Sequence, residues 1–174
     1  MKNLTSRKVL FTLLTTIFAH STSWAQDYSK YPTISIQGND YPNACHPLER
    51  KKVQEVLRDT NIPKKEELWT ILDMLLCAAR TEKNLDKMLA ATSKRIRMEA
   101  EGTGEKEPNI KTVPKNLKLV EDFFAQGKAW GIGLIIINNT VRINYSENEA
   151  CVEERIIEFS NEKWEIVEIG QACD

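Results

Sequence analysis

Cys45 and His46 stand side by side in the run NACHPLER. A cysteine with a histidine is the smallest set that makes a thiolate nucleophile and its base. Such partners meet in space rather than in sequence, and the thiol must be reduced. The chain has two histidines, His20 and His46, and His20 lies in a leader that is read below as removed. One histidine excludes a histidine-rich metal site, and a mixed Cys/His zinc site would lack the close paired spacing such sites favour. The run GTGEKEP has neither the spacing nor the Lys-Ser/Thr pair of a phosphate loop. Glu147, Glu149, Glu153, Glu154 and Glu158 could supply two carboxylates for glycoside hydrolysis, but a charged solvent face is the simpler account. No residue is therefore given a catalytic role, and no metal or cofactor is expected.

Four cysteines, Cys45, Cys77, Cys151 and Cys173, follow the leader. An even number in an exported chain favours disulfides over free thiols. Three pairings are open, and geometry prefers one. Ala150–Ser160 and Lys163–Ala172 read as strands joined by a turn at Asn161-Glu162. If facing residues sum to 324, Cys151 lies opposite Cys173 and Ile157 opposite Val167. Cys45 and Cys77 then remain. Cys77 falls off the apolar stripe formed by Leu68, Leu72, Leu75, Leu76 and Ala79, and a bridge gives it a reason to be there, since an unbridged cysteine usually buries as a small hydrophobe.

The elements that position these residues read as follows. Asp27–Ala44 is extended chain with a short strand at Thr33–Gln37. Pro47–Asp59 is a helix, with Pro47 in its first turn and Asn61-Ile62-Pro63 breaking it. Lys64–Arg80 is a second helix, and Leu85–Ala91 another helix or helical turn. Ser93–Ala100 alternates as a strand, Gly102–Pro114 is an exposed loop, and Leu117–Ala125 is a short helix. Trp130–Ile137 and Thr140–Tyr145 flank Asn138-Asn139, a two-residue hairpin turn. That register puts Ile132, Leu134, Ile136, Val141, Ile143 and Tyr145 on one face, which would cover the helices. Helices first and antiparallel strands later give an α+β fold, with N-terminal helices on a C-terminal antiparallel sheet of about four strands.

The run LWTILDMLLCAARTEKNLDKMLAATSKRIRMEAEG, with NLKLVEDFFAQG and NEKWEIVEIG after it, resembles the nuclear-transport-factor-2-like superfamily. The likeness is one of pattern and covers about residues 66–170. It implies a cone, in which a curved sheet wraps helices and leaves a cavity at the open end. Some members are enzymes and many only bind. The chain has no inward His–Asp pair of the kind the enzyme members use, so no catalytic residue is carried over.

The compartment follows from the first residues. Lys2, Arg7 and Lys8 precede an uncharged run, Val9–Ala19, and then Ser23-Trp24-Ala25. This is the three-part order of a secretory signal peptide, cut after Ala25. The apolar run is shorter than the roughly 20 residues that span a bilayer. Without Lys2, Arg7 and Lys8, the 24 basic residues become 21 against 25 acidic, a net charge of −4. Residues 26–174 form one exported domain with no signal for nucleic acid and no second apolar run for a membrane. Residues 146–174 carry nine acidic and two basic side chains, whereas residues 26–145 carry sixteen and nineteen. An acidic hairpin against a mildly basic remainder could steer a basic partner. Glu149, Glu153 and Glu154 are its first candidate contacts, with Glu153 and Glu154 on opposite faces of one strand. The function read from this is a non-enzymatic exported binding protein, a periplasmic or secreted inhibitor or immunity-type protein that binds another protein. The alternative is a cavity-bearing domain for a small apolar ligand.

Overall fold

The computed structural model describes residues 33–35, 43–100 and 109–173. The predicted leader, its predicted cut after Ala25, and most of the predicted extended segment before Ala44 lie outside them. The order of elements is β1 (Thr33–Ser35), α1 (Pro47–Asp59), α2 (Lys65–Cys77), α3 (Glu82–Ala90), β2 (Thr92–Ala100), β3 (Asn109–Pro114), α4 (Leu117–Glu121), β4 (Trp130–Ile137), β5 (Thr140–Ser146), β6 (Cys151–Ser160) and β7 (Lys163–Cys173). The fold is α+β. β4 to β7 form the middle of an open seven-stranded sheet ordered β1-β4-β5-β6-β7-β2-β3. Neighbours are antiparallel except β2 and β7, which run parallel.

The first helix has the predicted bounds. His46 caps it, its Nδ1 accepting from the Leu48 amide at 3.4 Å, and Pro47 occupies the first turn. The second helix is shorter than predicted. It stops at Cys77, and Ala78 is extended, so Ala79 is not on its stripe. The reason is tertiary. A helix leaves its last carbonyls without partners, and here the amides of Ala125 and Gly127 take the Leu75 and Leu76 carbonyls at 2.8 Å each. The following residues are released to start the turn into α3, which begins earlier than predicted because Thr81 caps it, accepting from the Asn84 amide at 3.3 Å. The fourth helix is also shorter, ending at Glu121. Phe123, Phe124 and Ala125 lie beyond it and are buried.

The predicted hairpin register holds: Ile137 pairs with Thr140, Ile136 with Val141 and Leu134 with Ile143. Ile132, Leu134, Ile136, Val141, Ile143 and Tyr145 are all buried, in one core with Leu68, Leu72 and Leu75 of α2. Each such apolar side chain contributes about 1.5–3 kcal/mol by leaving water. Two predictions are corrected. The segment Gly102–Pro114 is not all loop, for Asn109–Pro114 is strand β3, paired with β2. An edge strand needs no fully apolar face, so Lys111 and the terminal proline hid it. The second concerns β6 and β7. Facing residues sum to 324 from Cys151–Cys173 to Ile156–Glu168, but a bulge then shifts the register, and Ile157 pairs with Ile166 instead of Val167. A one-residue slip exchanges the faces of everything beyond it. It turns Ile166 and Trp164 into the core, each 1 % exposed or less. Trp164 then docks on the helices: its backbone amide donates to Glu67 at 3.0 Å and its indole N–H to the Pro63 carbonyl at 2.9 Å.

Candidate functional site

The acidic strand pair β6–β7 is clamped at its open end by the Cys151–Cys173 disulfide, across a directly facing pair with Cα atoms 4.1 Å apart. The turn before it is closed by Asn148, whose Oδ1 accepts from the amides of Ala150 and Cys151 at 2.9 Å each. Glu149 sits in this turn and is exposed. Strand alternation separates the other two candidate contacts. Glu153 pairs with Tyr145 and so lies on the helix-facing side, whereas Glu154 pairs with Asn144 on the outer side. The three glutamates therefore do not form one patch.

The inward side holds a group that sequence reasoning missed. Arg155 faces Ile143 in the register and is 4 % exposed. Its guanidinium carbon lies 5.5 Å from the centre of the Phe123 ring and 5.7 Å from that of Tyr145, a cation–π arrangement. Both of its terminal nitrogens donate to Glu153 Oε2 at 3.1 Å. Nη1 also donates to the carbonyls of Glu154 at 2.7 Å and Gly170 at 3.2 Å, while Nε finds no acceptor. Gln171 donates to the other oxygen of Glu153 at 2.6 Å. Burial pushes the Tyr145 hydroxyl up to about 12. Burial, and then the nearby Glu153 charge, raises the Glu147 carboxyl, against the opposing pull of Arg155, Lys128 and Arg80. The signal in the sequence was positional: Arg155 shares the parity of Ile157, so an inward Ile157 implies an inward arginine.

On the outer face, arginines from other strands answer the acidic surplus. Arg97 of β2 bridges Glu158 at 2.9 Å and Glu168 at 2.6 Å, and those hydrogen bonds raise its affinity for its proton. Arg142 of β5 reaches Glu154 at 3.5 Å, and Lys163 meets Glu165 at 2.6 Å. The same strand parity brings Ile156 to this face, where it is 7 % exposed.

Across the molecule, Cys45–Cys77 joins the start of α1 to the end of α2, with Cα atoms 5.4 Å apart. Arg50 strengthens the junction, meeting Asp73 at 2.7 Å and lying 5.7 Å over the Trp69 ring. A groove of about 330 Å³ lies between the helices, with Leu57 and Trp69 as its apolar part and Lys51, Arg58, Lys65 and Glu66 among its charged lining. His46 is used by the helix cap.

Both preferred cysteine pairings are thus formed, and no described cysteine is free. Among the described residues, no three His, Cys, Asp or Glu side chains converge in a way that could hold a metal ion, and no helix is long and apolar enough to cross a membrane. No protein-family model, no curated protein and no solved structure matches this chain. Disulfides persist in oxidising surroundings, and two of them in an α+β domain of this size mark a protein of the extracellular or periplasmic environment.

Proposed function

We propose that the chain is an exported binding protein that engages another protein, in the manner of a periplasmic inhibitor or an immunity-type protein. The carrying observation is the placement of the disulfides. One fixes the charged strand pair at its open end and the other fixes α1 against α2, so both surfaces are held before any partner arrives. A surface ordered in advance loses less conformational freedom on binding. The basic start, apolar run and small residues of the first 25 positions support export by a cleaved signal peptide. The order of α2, α3 and β2, a long helix, a shorter one and a strand, supports the nuclear-transport-factor-2-like resemblance as a proposal about ancestry.

The test uses the chain as its host makes it. Mass spectrometry should find a mature protein beginning at Gln26, and intact Met1 refutes export by cleavage. The oxidised mature protein, immobilised, should capture a partner from the host's exported fraction, and the purified pair should bind with defined stoichiometry. His46→Ala should leave that binding intact, because His46 only caps α1. Loss of function in His46→Ala with both disulfides still formed would overturn the binding-protein reading in favour of catalysis.

A further inference from the structure

The two disulfides are not held alike. Cys45 and Cys77 pack against the core, and both are half-buried. Cys151 begins β6 and Cys173 ends β7, and of these two Cys151 is half-buried and Cys173 exposed. The strand that Cys173 ends is loosely held there. β7 pairs with β2 as far as Ile169, which faces Met98. Beyond that point β2 runs on to Ala100 beside β3, and among the described residues Gly170–Cys173 pairs with β6 alone. Gln171, Ala172 and Cys173 are all exposed. The start of β6 is better held, because β5 flanks it down to Val152, which faces Ser146, and Asn148 closes the turn before it. Yet the loose end of β7 supplies two contacts of the buried ion pair. The Gly170 carbonyl accepts from Arg155 at 3.2 Å, and Gln171 donates to Glu153 at 2.6 Å.

We propose that Cys151–Cys173 is a redox-sensitive latch: its reduction by a dithiol frees the end of β7, Gly170–Cys173, and leaves the rest of the fold in place. A thiolate of the dithiol attacks the sulfur of Cys173, the exposed partner, forming a mixed disulfide there and expelling Cys151 as a thiolate. The second thiol of the reductant then attacks the mixed disulfide, releasing Cys173 and leaving the reductant as an internal disulfide. Two electrons and two protons pass from the dithiol to the two cysteines. Exposed disulfides are the labile ones, so this bridge opens before Cys45–Cys77. Once it is open, four residues are held by a single ladder. A strand end with one neighbour and exposed side chains belongs to the parts of a fold that open locally. Arg155 then loses the Gly170 carbonyl and Glu153 loses Gln171. The contact between Arg155 and Glu153 survives, since both lie on β6. The chain therefore has an oxidised form in which this end of the sheet is closed and a reduced form in which it is open. This is a property of the fold and holds whether or not the chain binds another protein.

The test is graded reduction of the oxidised mature protein with dithiothreitol, quenched by alkylation and read by peptide mass mapping. Cys151 and Cys173 should be alkylated at least about tenfold faster than Cys45 and Cys77. Amide NMR then follows the species reduced at Cys151 and Cys173 alone. Order parameters of the Gly170–Cys173 amides should fall from about 0.85 to below about 0.6, while those of α2 and β4 stay as they were, and reoxidation should restore the first values. Cys151→Ser/Cys173→Ser should show the open form with or without reductant. Equal or faster reduction of Cys45–Cys77, unchanged order at Gly170–Cys173, or order lost throughout the chain overturns the proposal. A double-serine variant that unfolds as a whole also overturns it. Capture of a partner by the oxidised protein is read in a separate assay, so none of these outcomes decides the binding-protein reading.

Discussion

The buried Arg155–Glu153 pair gives the sharpest test of how the strand pair is built. Glu153→Gln keeps the shape of the side chain and removes its charge, leaving a guanidinium that is 4 % exposed with no carboxylate in contact. Removing one partner of a buried ion pair costs about 3–5 kcal/mol, because the other charge stays desolvated and uncompensated. Glu153 is itself 16 % exposed, so the lower end, about 3 kcal/mol, is the expected loss. Arg155→Met alone removes the cation–π contacts with Phe123 and Tyr145, worth about 0.5–2 kcal/mol each, and leaves Glu153 to Gln171 and solvent. The diagnostic quantity is the coupling. Once Glu153 is Gln, changing Arg155 to Met removes the unpaired charge and should be neutral or stabilising, which gives a coupling of about 2–3 kcal/mol between the two sites. Urea unfolding of the oxidised wild type, both single variants and the double variant at neutral pH measures it. Coincident fluorescence and circular dichroism transitions confirm that the free energies are comparable. If the single effects add to within about 0.5 kcal/mol, the two side chains are independent, and the account of a pair buried by strand parity is refuted.

Other outcomes follow from the same geometry. Replacing Cys151 and Cys173 by serine opens a link across a sequence separation of 22 and should cost about 3 kcal/mol by the chain-entropy relation, whereas an unchanged urea midpoint would show that the clamp contributes nothing. Trp164→Phe should cost at least about 2 kcal/mol, since it leaves the Pro63 carbonyl without its donor and opens a void in the core; a thermal melt within a degree of wild type would contradict this. The Glu147 carboxyl is raised in the folded chain, so its charged form is disfavoured there. That penalty is absent below the ordinary carboxyl range and grows as pH rises through the folded value. Glu147→Gln should therefore stabilise the protein at neutral pH and lose that advantage in acid, and a gain that persists in acid would rule out a charge effect. Ultraviolet titration should show Tyr145 ionising only near pH 12, above the ordinary tyrosine value of about 10, and Tyr145→Phe should abolish that late step.

What the sequence determined by itself was local or periodic. The hairpin at Asn138-Asn139, the inward face of β4 and β5 and the bounds of α1 could be read from short spacings, because strand alternation and turn chemistry are set within a few residues, and the hairpin register that set Cys151 opposite Cys173 left Cys45 and Cys77 as the remaining pair. The tertiary structure decided whatever depended on a distant segment. α2 ends at Cys77 because amides some fifty residues further on take its last carbonyls, and no local propensity reports that. β3 became a strand because β2 was beside it, not because its own pattern required it. The bulge that leaves Val167 without a partner was faintly legible, since Ile166 and Ile169 are three apart where strict alternation needs two or four. Only packing against α2 showed that the slip lies there and that Trp164 turns inward with it. The acidic surplus of the last strands was plain in the composition. That Arg97, Arg142 and Arg155 answer much of it depends on which strands become neighbours, because charges interact through space and the order of strands in the sheet is not their order in the chain.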